Sequence, residues 1–306
     1  MERIHTMRAN YLQSSWIPGY IALGITWGAS FLFIKWGLLS LSPIGVAFFR
    51  GFIGGLTLLI YALITKQKLP NKFSEIRHLV VIALLMNTVP GYLFAVGETH
   101  VSSVAAGIIN ATTPLMTVLV ISVAFREQKI NINQGLGVVI GFIGVLLVTN
   151  IFDNSASGSI IGILELLLAT LCYGIAVPYS RKFVSHLPYS STALATVQVC
   201  SSAILLSPFV LLKSPLQHPW NHKSIMGMLL LGSIGTGIAY IWNFRNVKIA
   251  GSVVASTVTY LTPIVAAILG VLLLKEKVHF IQLLGGVLIL LSATLVQGRL
   301  KLIASR

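Results

Sequence analysis

The chain has 306 residues, of which 56% are hydrophobic and only 9% are charged. An ordinary soluble domain has roughly a quarter charged residues, so this composition excludes a soluble protein and indicates an integral membrane protein. The net charge of +14 would suit a nucleic-acid partner. However, the basic residues lie between apolar runs and no aromatic and basic platform accompanies them, which argues against nucleic acid.

Ten apolar runs follow one another, each near the length of about 20 residues that a helix needs to cross a bilayer. We predict membrane-spanning helices over residues 18–39, 43–65, 76–97, 101–123, 132–150, 157–180, 187–211, 224–243, 250–273 and 280–298. A polar stretch from Asp153 to Gly158 separates two halves, 18–150 and 157–298. Residues 1–17 and 299–306 are predicted as terminal segments outside the membrane.

Two stretches of the chain repeat one another at an offset of 149 residues. The matched positions include Ser103 and Ser252, Thr113-Pro114 and Thr262-Pro263, and Glu127 and Glu276. Similarity at a fixed offset marks an internal duplication. Because each half holds five predicted spans, an odd number, the second half enters the bilayer from the opposite side. The sequence therefore predicts an all-α membrane protein of two inverted five-helix repeats, an arrangement typical of secondary transporters.

The distribution of Lys and Arg predicts the orientation in the membrane. With the N-terminus inside, the inner segments carry about fifteen of these residues and the outer segments about four, which is the positive-inside bias. We therefore expect a multi-pass protein of the cell (inner) membrane with both termini cytoplasmic. This bias explains the basic charge without a polyanionic partner.

Pro114 and Pro263 lie near the middle of their predicted spans and at matched positions of the two repeats. Each proline removes a backbone hydrogen bond and leaves a carbonyl without its donor one turn earlier, near Asn110 and Thr259. A kink near the midplane is a common hinge or substrate site in transporters, and a merely tolerated structural kink is the alternative.

The string from Ala95 to Thr117 resembles the signature of the EamA-type drug/metabolite transporter superfamily. Trp27-Gly28-Ala29-Ser30-Phe31 and the stretch from Pro43 to Arg50 also resemble this family. The resemblance implies a ten-helix bundle that exports small metabolites such as amino acids, related compounds or drugs, and it leaves the substrate open. The second half departs from the pattern, with Tyr173-Gly174 in place of Trp27-Gly28 and no basic counterpart of Arg50.

Four ionisable residues within the spans are candidates for a charge pair or for coupling, because a charge in hydrocarbon is costly. They are Lys35, Arg50, Glu98 and Glu165. Glu98 is placed to pair with Arg50 or Lys35, and the guanidinium of Arg50 suits bidentate capture of a carboxylate. The alternatives are a structural ion pair for Arg50, snorkelling for Lys35 and a partly wet carboxylate at a helix start for Glu165.

Polar and aromatic residues at mid-span are the candidates for substrate binding, because an unpaired polar group that faces lipid is unfavourable. They are Trp27, Tyr92, Asn110, Thr113, Gln198, Tyr240, Trp242 and Tyr260. Each of them has an alternative role, as a hydrogen bond between helices or as an anchor at the membrane interface.

No catalytic, nucleotide-binding or metal-binding motif is evident, so we expect no enzyme activity and no cofactor. Stripes of glycine at helical spacing predict close helix packing within one chain, with a homodimer interface as the alternative. The sequence thus predicts a secondary transporter that exports small metabolites across the bilayer by alternating access. A channel or membrane scaffold is the second hypothesis, and an intramembrane enzyme is the third.

Overall fold

The computed structural model describes residues 16–125, 131–149 and 159–300, and these ranges form thirteen α-helices. In chain order they are α1 (Ile17–Gly37), α2 (Pro43–Ile64), α3 (Phe73–Ala83), α4 (Val89–His100), α5 (Ser103–Asn110), α6 (Thr113–Val120), α7 (Ile132–Thr149), α8 (Ile160–Phe183), α9 (Ser191–Leu212), α10 (His222–Gly232), α11 (Ala239–Ser256), α12 (Thr262–Leu273) and α13 (Phe280–Val296). The predicted segment from Asp153 to Gly158 and the residue Glu127 lie outside the described ranges.

Short segments of other helical types continue or join these α-helices. They are the π-helical segments Leu84–Thr88, Ile121–Phe125 and Ser233–Ile238, and the 3-10 segment Thr257–Tyr260. Over the described residues, seven helical stretches are long and apolar enough to cross a membrane, and three shorter apolar helices accompany them. The predicted all-helical membrane architecture is therefore confirmed, while the count of ten crossing helices stays a prediction.

Polar caps fix where several helices begin. The side chains of Ser42, Ser102, Ser190 and Asn221 each accept a hydrogen bond from a backbone N–H in the first turn of the helix that follows. Such a cap satisfies one of the donors that have no partner within the helix. These residues lie at the predicted starts of spans, where a polar residue precedes an apolar run.

One predicted boundary is wrong. The sequence predicted a connection between the eighth and ninth spans, at residues 244–249, whereas the backbone from Ala239 to Ser256 is helical. Polar residues such as Arg245 and Asn246 marked that connection, but residues 244–249 contain neither Pro nor Gly. A change in polarity alone does not end a helix, because the backbone can still form its internal hydrogen bonds.

Glycines bring helices into backbone contact inside the chain. A Cβ added at Gly285 of α13 would lie 2.6 Å from the carbonyl oxygen of Gly144 in α7, and one at Gly144 would lie 2.7 Å from that of Gly285. Glycines of this chain therefore make close helix contacts within one chain, as predicted for the glycine stripes. In a bilayer such close approach supplies much of the association energy between helices.

Two neighbouring glycines in α13 provide a test of this packing. Gly285→Ala forces its new methyl group against the Gly144 carbonyl, whereas Gly286→Ala meets its nearest atom, in Ile108, at 3.5 Å. We expect Gly285→Ala to lower the free energy of unfolding by about 1–3 kcal/mol and Gly286→Ala to change it little. Thermal unfolding of the two purified variants in detergent measures the difference. Equal stability of the two variants would contradict this account of the α7–α13 contact.

Candidate functional site

A cavity of about 670 Å³ lies between the two halves of the chain. Residues from α1, α2, α4, α5 and α6 line it from the first half, and residues from α8, α11 and the 3-10 segment line it from the second. Its size falls within the range of small-molecule sites, roughly 300–1,000 Å³. Five candidates from the sequence are among the lining residues, namely Trp27, Arg50, Asn110, Thr113 and Tyr240.

Aromatic rings form much of the cavity wall. Trp27 and Tyr240 meet edge to face with their ring centroids 6.0 Å apart, and Phe94 lies between Phe31 at 5.7 Å and Tyr173 at 6.0 Å. The Tyr240 hydroxyl donates a hydrogen bond to the Met86 carbonyl at 3.0 Å, which fixes that ring. Such a wall offers flat apolar contacts to a ring-containing molecule.

The two proline breaks face each other at this cavity. The Thr113 hydroxyl donates to the Asn110 carbonyl at 2.8 Å, and the Thr262 hydroxyl donates to the Thr259 carbonyl at 3.0 Å. These are the two carbonyls that Pro114 and Pro263 deprive of their helical donors. The Asn110 amide donates to the Thr262 hydroxyl at 3.4 Å, so the breaks also contact each other across the two halves.

Arg50 projects from α2 into the cavity and is held at one nitrogen. Its Nε donates to the Thr236 hydroxyl at 2.9 Å, and that hydroxyl donates in turn to the Leu231 carbonyl at 2.9 Å. Thr236 lies in the π-helical segment Ser233–Ile238. Segments of this kind are frequent at functional sites.

A matching contact between the halves is made by the neutral side chains of Asn87 and Gln198. Asn87 lies in the π-helical segment Leu84–Thr88, at the position that corresponds to Thr236, and its side-chain oxygen accepts from Gln198 at 2.7 Å. Gln198 is fully buried within α9 and is not among the residues that line the cavity. The contact of α2 with the second half thus has a charged donor, Arg50. The contact of α9 with the first half has a neutral amide donor, Gln198.

The remaining ionisable candidates lie outside the described cavity lining. Lys35 donates hydrogen bonds to the backbone carbonyls of Glu98 and Val101 at the end of α4. The Glu98 side chain is 0% exposed, and neither carboxylate oxygen has a hydrogen-bond partner among the described residues. The predicted pairing of Glu98 with Arg50 or Lys35 is therefore not formed here. Glu165 is half-buried in the first turns of α8.

Three further candidates for binding also lie away from the described cavity wall. Tyr92 is 41% exposed. Trp242 packs against Leu23 and its neighbours, and Tyr260 packs against a cluster that includes Leu115 and Val296. Their roles in binding stay predictions, and the cavity itself gives them no support.

Several lining residues were not singled out from the sequence, among them Phe31, Phe94, Tyr173, Asn243 and Arg181. The phenylalanines have no signal of their own, because apolar residues also cover the lipid-facing surface. Tyr173 did have a sequence signal, because Tyr173-Gly174 stands in the second half where the first half has Trp27-Gly28. Both aromatic residues of that match line the cavity.

The cavity meets solvent at one end. Its lining there includes Arg181, whose side chain is exposed, and Ser185 just beyond the end of α8. Farther along the chain at this end, the Tyr189 hydroxyl donates to the Glu75 carboxylate at 2.7 Å and so joins the two halves. The hydrogen bond to Glu75 raises the pKa of the Tyr189 phenol. We call this end the mouth.

Hydrogen bonds join the halves at the opposite end. The Ser42 N–H donates to the Pro215 carbonyl and the Gln217 N–H donates to the Ser40 carbonyl, both at 2.8 Å, beside the Leu41–Leu216 bridge. Ile34, at this end of the cavity lining, is only 2% exposed. We call the contacts of residues 40–42 with residues 215–221 the loop joint.

Glu276 makes a further contact between the halves. Its carboxylate follows α12 and accepts three hydrogen bonds at the start of α5, from the Ser103 N–H at 2.8 Å and from the Ser103 hydroxyl and the Val104 N–H at 3.0 Å. The positive end of a helix favours a carboxylate at this position. Glu276, one of the positions matched between the repeats, therefore caps a helix of the other half.

We expect Glu276→Ala to lower the free energy of unfolding by about 0.5–2 kcal/mol, because three donors at the start of α5 lose their acceptor. Glu276→Gln retains one acceptor oxygen and should lose less. The matched control is Lys277→Ala, which removes the exposed side chain next to it. Thermal unfolding of the three variants in detergent measures the order, and equal midpoints for Glu276→Ala and Lys277→Ala would refute the cap.

Comparison with known proteins places this architecture in a family. The EamA-like transporter family model matches residues 14–150 and again residues 160–297. The uncharacterized transporter YoaV of Bacillus subtilis (strain 168) is 25% identical over 274 residues, covering 89% of this chain and 92% of YoaV. The uncharacterized inner membrane transporter YedA of Escherichia coli (strain K12) is 28% identical over 284 residues, covering 90% of this chain and 88% of YedA.

A solved crystal structure shares the fold, with a TM-score of 0.64 over 92% of this chain and 96% of that chain at 16% sequence identity. The two family matches together cover most of the chain, one in each half. The predicted resemblance to EamA-type transporters is confirmed. This chain belongs to the EamA-like transporter family and is a multi-pass membrane transporter.

Proposed function

We propose that the protein is a secondary transporter that exports small amphipathic metabolites by alternating access to the cavity between its halves. One observation carries this proposal. The cavity meets solvent at the mouth, while the loop joint and Glu276 hold the two halves together at the other end. A site that is open on one side and closed on the other by breakable hydrogen bonds is what alternating access requires.

The position of the mouth gives the side of the membrane from which the cavity is loaded in this state. Arg181 and Lys182 lie at this end of α8, and the basic loop from Lys66 to Lys72 precedes α3 on the same side of the predicted topology. Basic residues favour the cytoplasmic face. The mouth then opens to the cytoplasm, both termini are cytoplasmic, and opening of the other end releases the substrate outside.

A channel is the second hypothesis, and it needs a continuous path through the protein. The closed end favours a transporter over a channel. Pro114 and Pro263 are the hinges in this proposal, because the helix breaks there already lack regular hydrogen bonds and rely on threonine side chains. Trp27, Asn110, Thr113 and Tyr240 contact the substrate, since they share the cavity wall.

Glu98 is the carboxyl that we assign to proton coupling. It is enclosed, has no hydrogen-bond partner in the described residues, and lies near Lys35, Arg50 and Glu276. An unpaired buried charge is unfavourable, so this group is suited to bind and release a proton as its surroundings change. Glu165 is half-buried in α8 and therefore the less favoured candidate.

Transport into proteoliposomes tests this function, using a panel of amino acids, aromatic acids, amines and drugs with and without a pH gradient. One pH unit corresponds to about 1.4 kcal/mol, so coupling to one proton gives up to roughly tenfold accumulation. We expect saturable flux of at least one compound, driven by the gradient in the wild type and not in Glu98→Gln.

Glu165→Gln is the matched control and should keep its response to the gradient. If Glu165→Gln loses the response and Glu98→Gln keeps it, the coupling assignment is wrong although transport stands. Flux of the wild type that ignores the gradient would show facilitated diffusion. Saturable flux of no compound, in correctly folded and oriented protein, would contradict the proposed function.

A further inference from the structure

We propose that the transported substrate is an organic anion, an aromatic or other ring-bearing carboxylate that Arg50 binds through its free guanidinium edge. This inference rests on the proposed function and narrows its substrate class. It excludes amines as preferred substrates and ranks zwitterionic amino acids below the corresponding acids.

The orientation of Arg50 is the first support. The Thr236 hydroxyl accepts from Nε and is itself held by the Leu231 carbonyl. The guanidinium is thereby fixed at Nε, and in the described residues its two terminal nitrogens have no hydrogen-bond partner while the side chain lines the cavity. A terminal pair of N–H donors in a fixed plane matches the two oxygens of a carboxylate.

The matching contact between the halves, on the other side of the repeat, is made without a charged side chain. Gln198 and Asn87 make the equivalent contact between a helix and a π-helical segment with neutral amides, at 2.7 Å. The duplicated architecture therefore holds together there without a cation. A cation in a membrane interior is costly, so the charged donor at Arg50, where the matching contact has a neutral amide, points to a task at the cavity.

The charged residues that line the described cavity have one sign, and Glu98, which lies near Arg50, is fully buried outside this lining. Arg50 lies in the interior of the cavity and Arg181 at the mouth, and the described lining includes no Asp or Glu. An ammonium group in this cavity would lose its hydration without gaining an acidic partner, whereas a carboxylate would gain Arg50. Arg181 is placed to attract anions to the mouth.

The rest of the wall suits a ring. Trp27 with Tyr240 and Phe94 with Tyr173 present aromatic surfaces in the same cavity as Arg50. A ligand with a ring at one end and a carboxylate at the other can use both features at once. The volume of about 670 Å³ accommodates a molecule of this size.

Four small molecules with a shared phenylalkyl body isolate the effect of charge. They are 3-phenylpropanoate, phenylalanine, 2-phenylethylamine and the neutral 3-phenylpropanol. Equilibrium dialysis or calorimetry on the full-length protein in detergent measures binding without interference from passive diffusion of the acid through lipid. We expect the acid to bind most tightly, phenylalanine less tightly and the amine most weakly.

Variants of Arg50 then assign the preference. Arg50→Gln should weaken binding of 3-phenylpropanoate roughly 10-fold to 100-fold, because a hydrogen-bonded ion pair is lost, and should leave 3-phenylpropanol within about twofold. Arg50→Lys keeps the charge but loses the planar pair of donors. Its affinity for 3-phenylpropanoate should lie between those of the wild type and Arg50→Gln. The control is Arg77→Gln, which removes an exposed arginine that is not part of the cavity wall and should change neither affinity.

The order of affinities and the effect of Arg50→Gln test the substrate class. Tighter binding of the amine or of phenylalanine than of the acid would overturn it, and transport of those compounds would leave the proposed function intact. Equal loss of acid and alcohol binding in Arg50→Gln would assign Arg50 to structure and also overturn it. If the acid binds through Arg50 yet no compound crosses the membrane, the substrate class stands and the proposed function fails.

Discussion

The structure depends on how two helices break in the middle of a membrane without leaving buried carbonyls unsatisfied. A backbone group without a partner costs several kcal/mol in hydrocarbon, so most proteins keep their spanning helices continuous. Here Pro114 and Pro263 each remove one hydrogen bond, and Thr113 and Thr262 supply a hydroxyl to the carbonyl concerned. The breaks therefore persist, and their irregular backbone forms one wall of the cavity.

Close packing brings the two breaks together. A Cβ added at Gly107 of α5 would clash with Ala266 of α12, and one at Gly28 of α1 would lie 2.9 Å from the Thr262 carbonyl. The same contact recurs in the other half, where a Cβ at Gly174 of α8 would lie 3.0 Å from the carbonyl oxygen of Met116. Small residues thus let each half support the broken helix of the other, and the cavity lies between them.

The duplication is kept in geometry and has diverged in chemistry. The π-helical segments Leu84–Thr88 and Ser233–Ile238 begin 149 residues apart, the offset of the sequence repeat. Each segment contains a residue that accepts a hydrogen bond from a polar side chain of the other half. Thr236 accepts from Arg50, whereas Asn87 accepts from Gln198. This divergence gives the cavity a charged side, which is where we place substrate selection.

Much of this architecture is readable from the sequence, because membrane helices need long apolar runs and proline has a definite effect on them. Asn110 and Thr113 were predicted as polar residues at mid-span, and they line the cavity. Tyr92 was predicted by the same logic and is 41% exposed, since a helix that is apolar on all sides does not reveal which face meets lipid. Thr236, the partner of Arg50, lies 186 residues away, and such a distant pairing has no local signal.

A reversible cross-link at the loop joint tests the claim of alternating access most directly. Leu41 and Leu216 face each other in an antiparallel bridge, a spacing compatible with a disulfide. In a background with Cys172→Ser and Cys200→Ser, we predict that oxidation of the pair Leu41→Cys and Leu216→Cys abolishes transport. A reductant should restore it, and neither single cysteine should respond. Full transport by completely cross-linked protein would show that this end does not need to open, and it would contradict the mechanism.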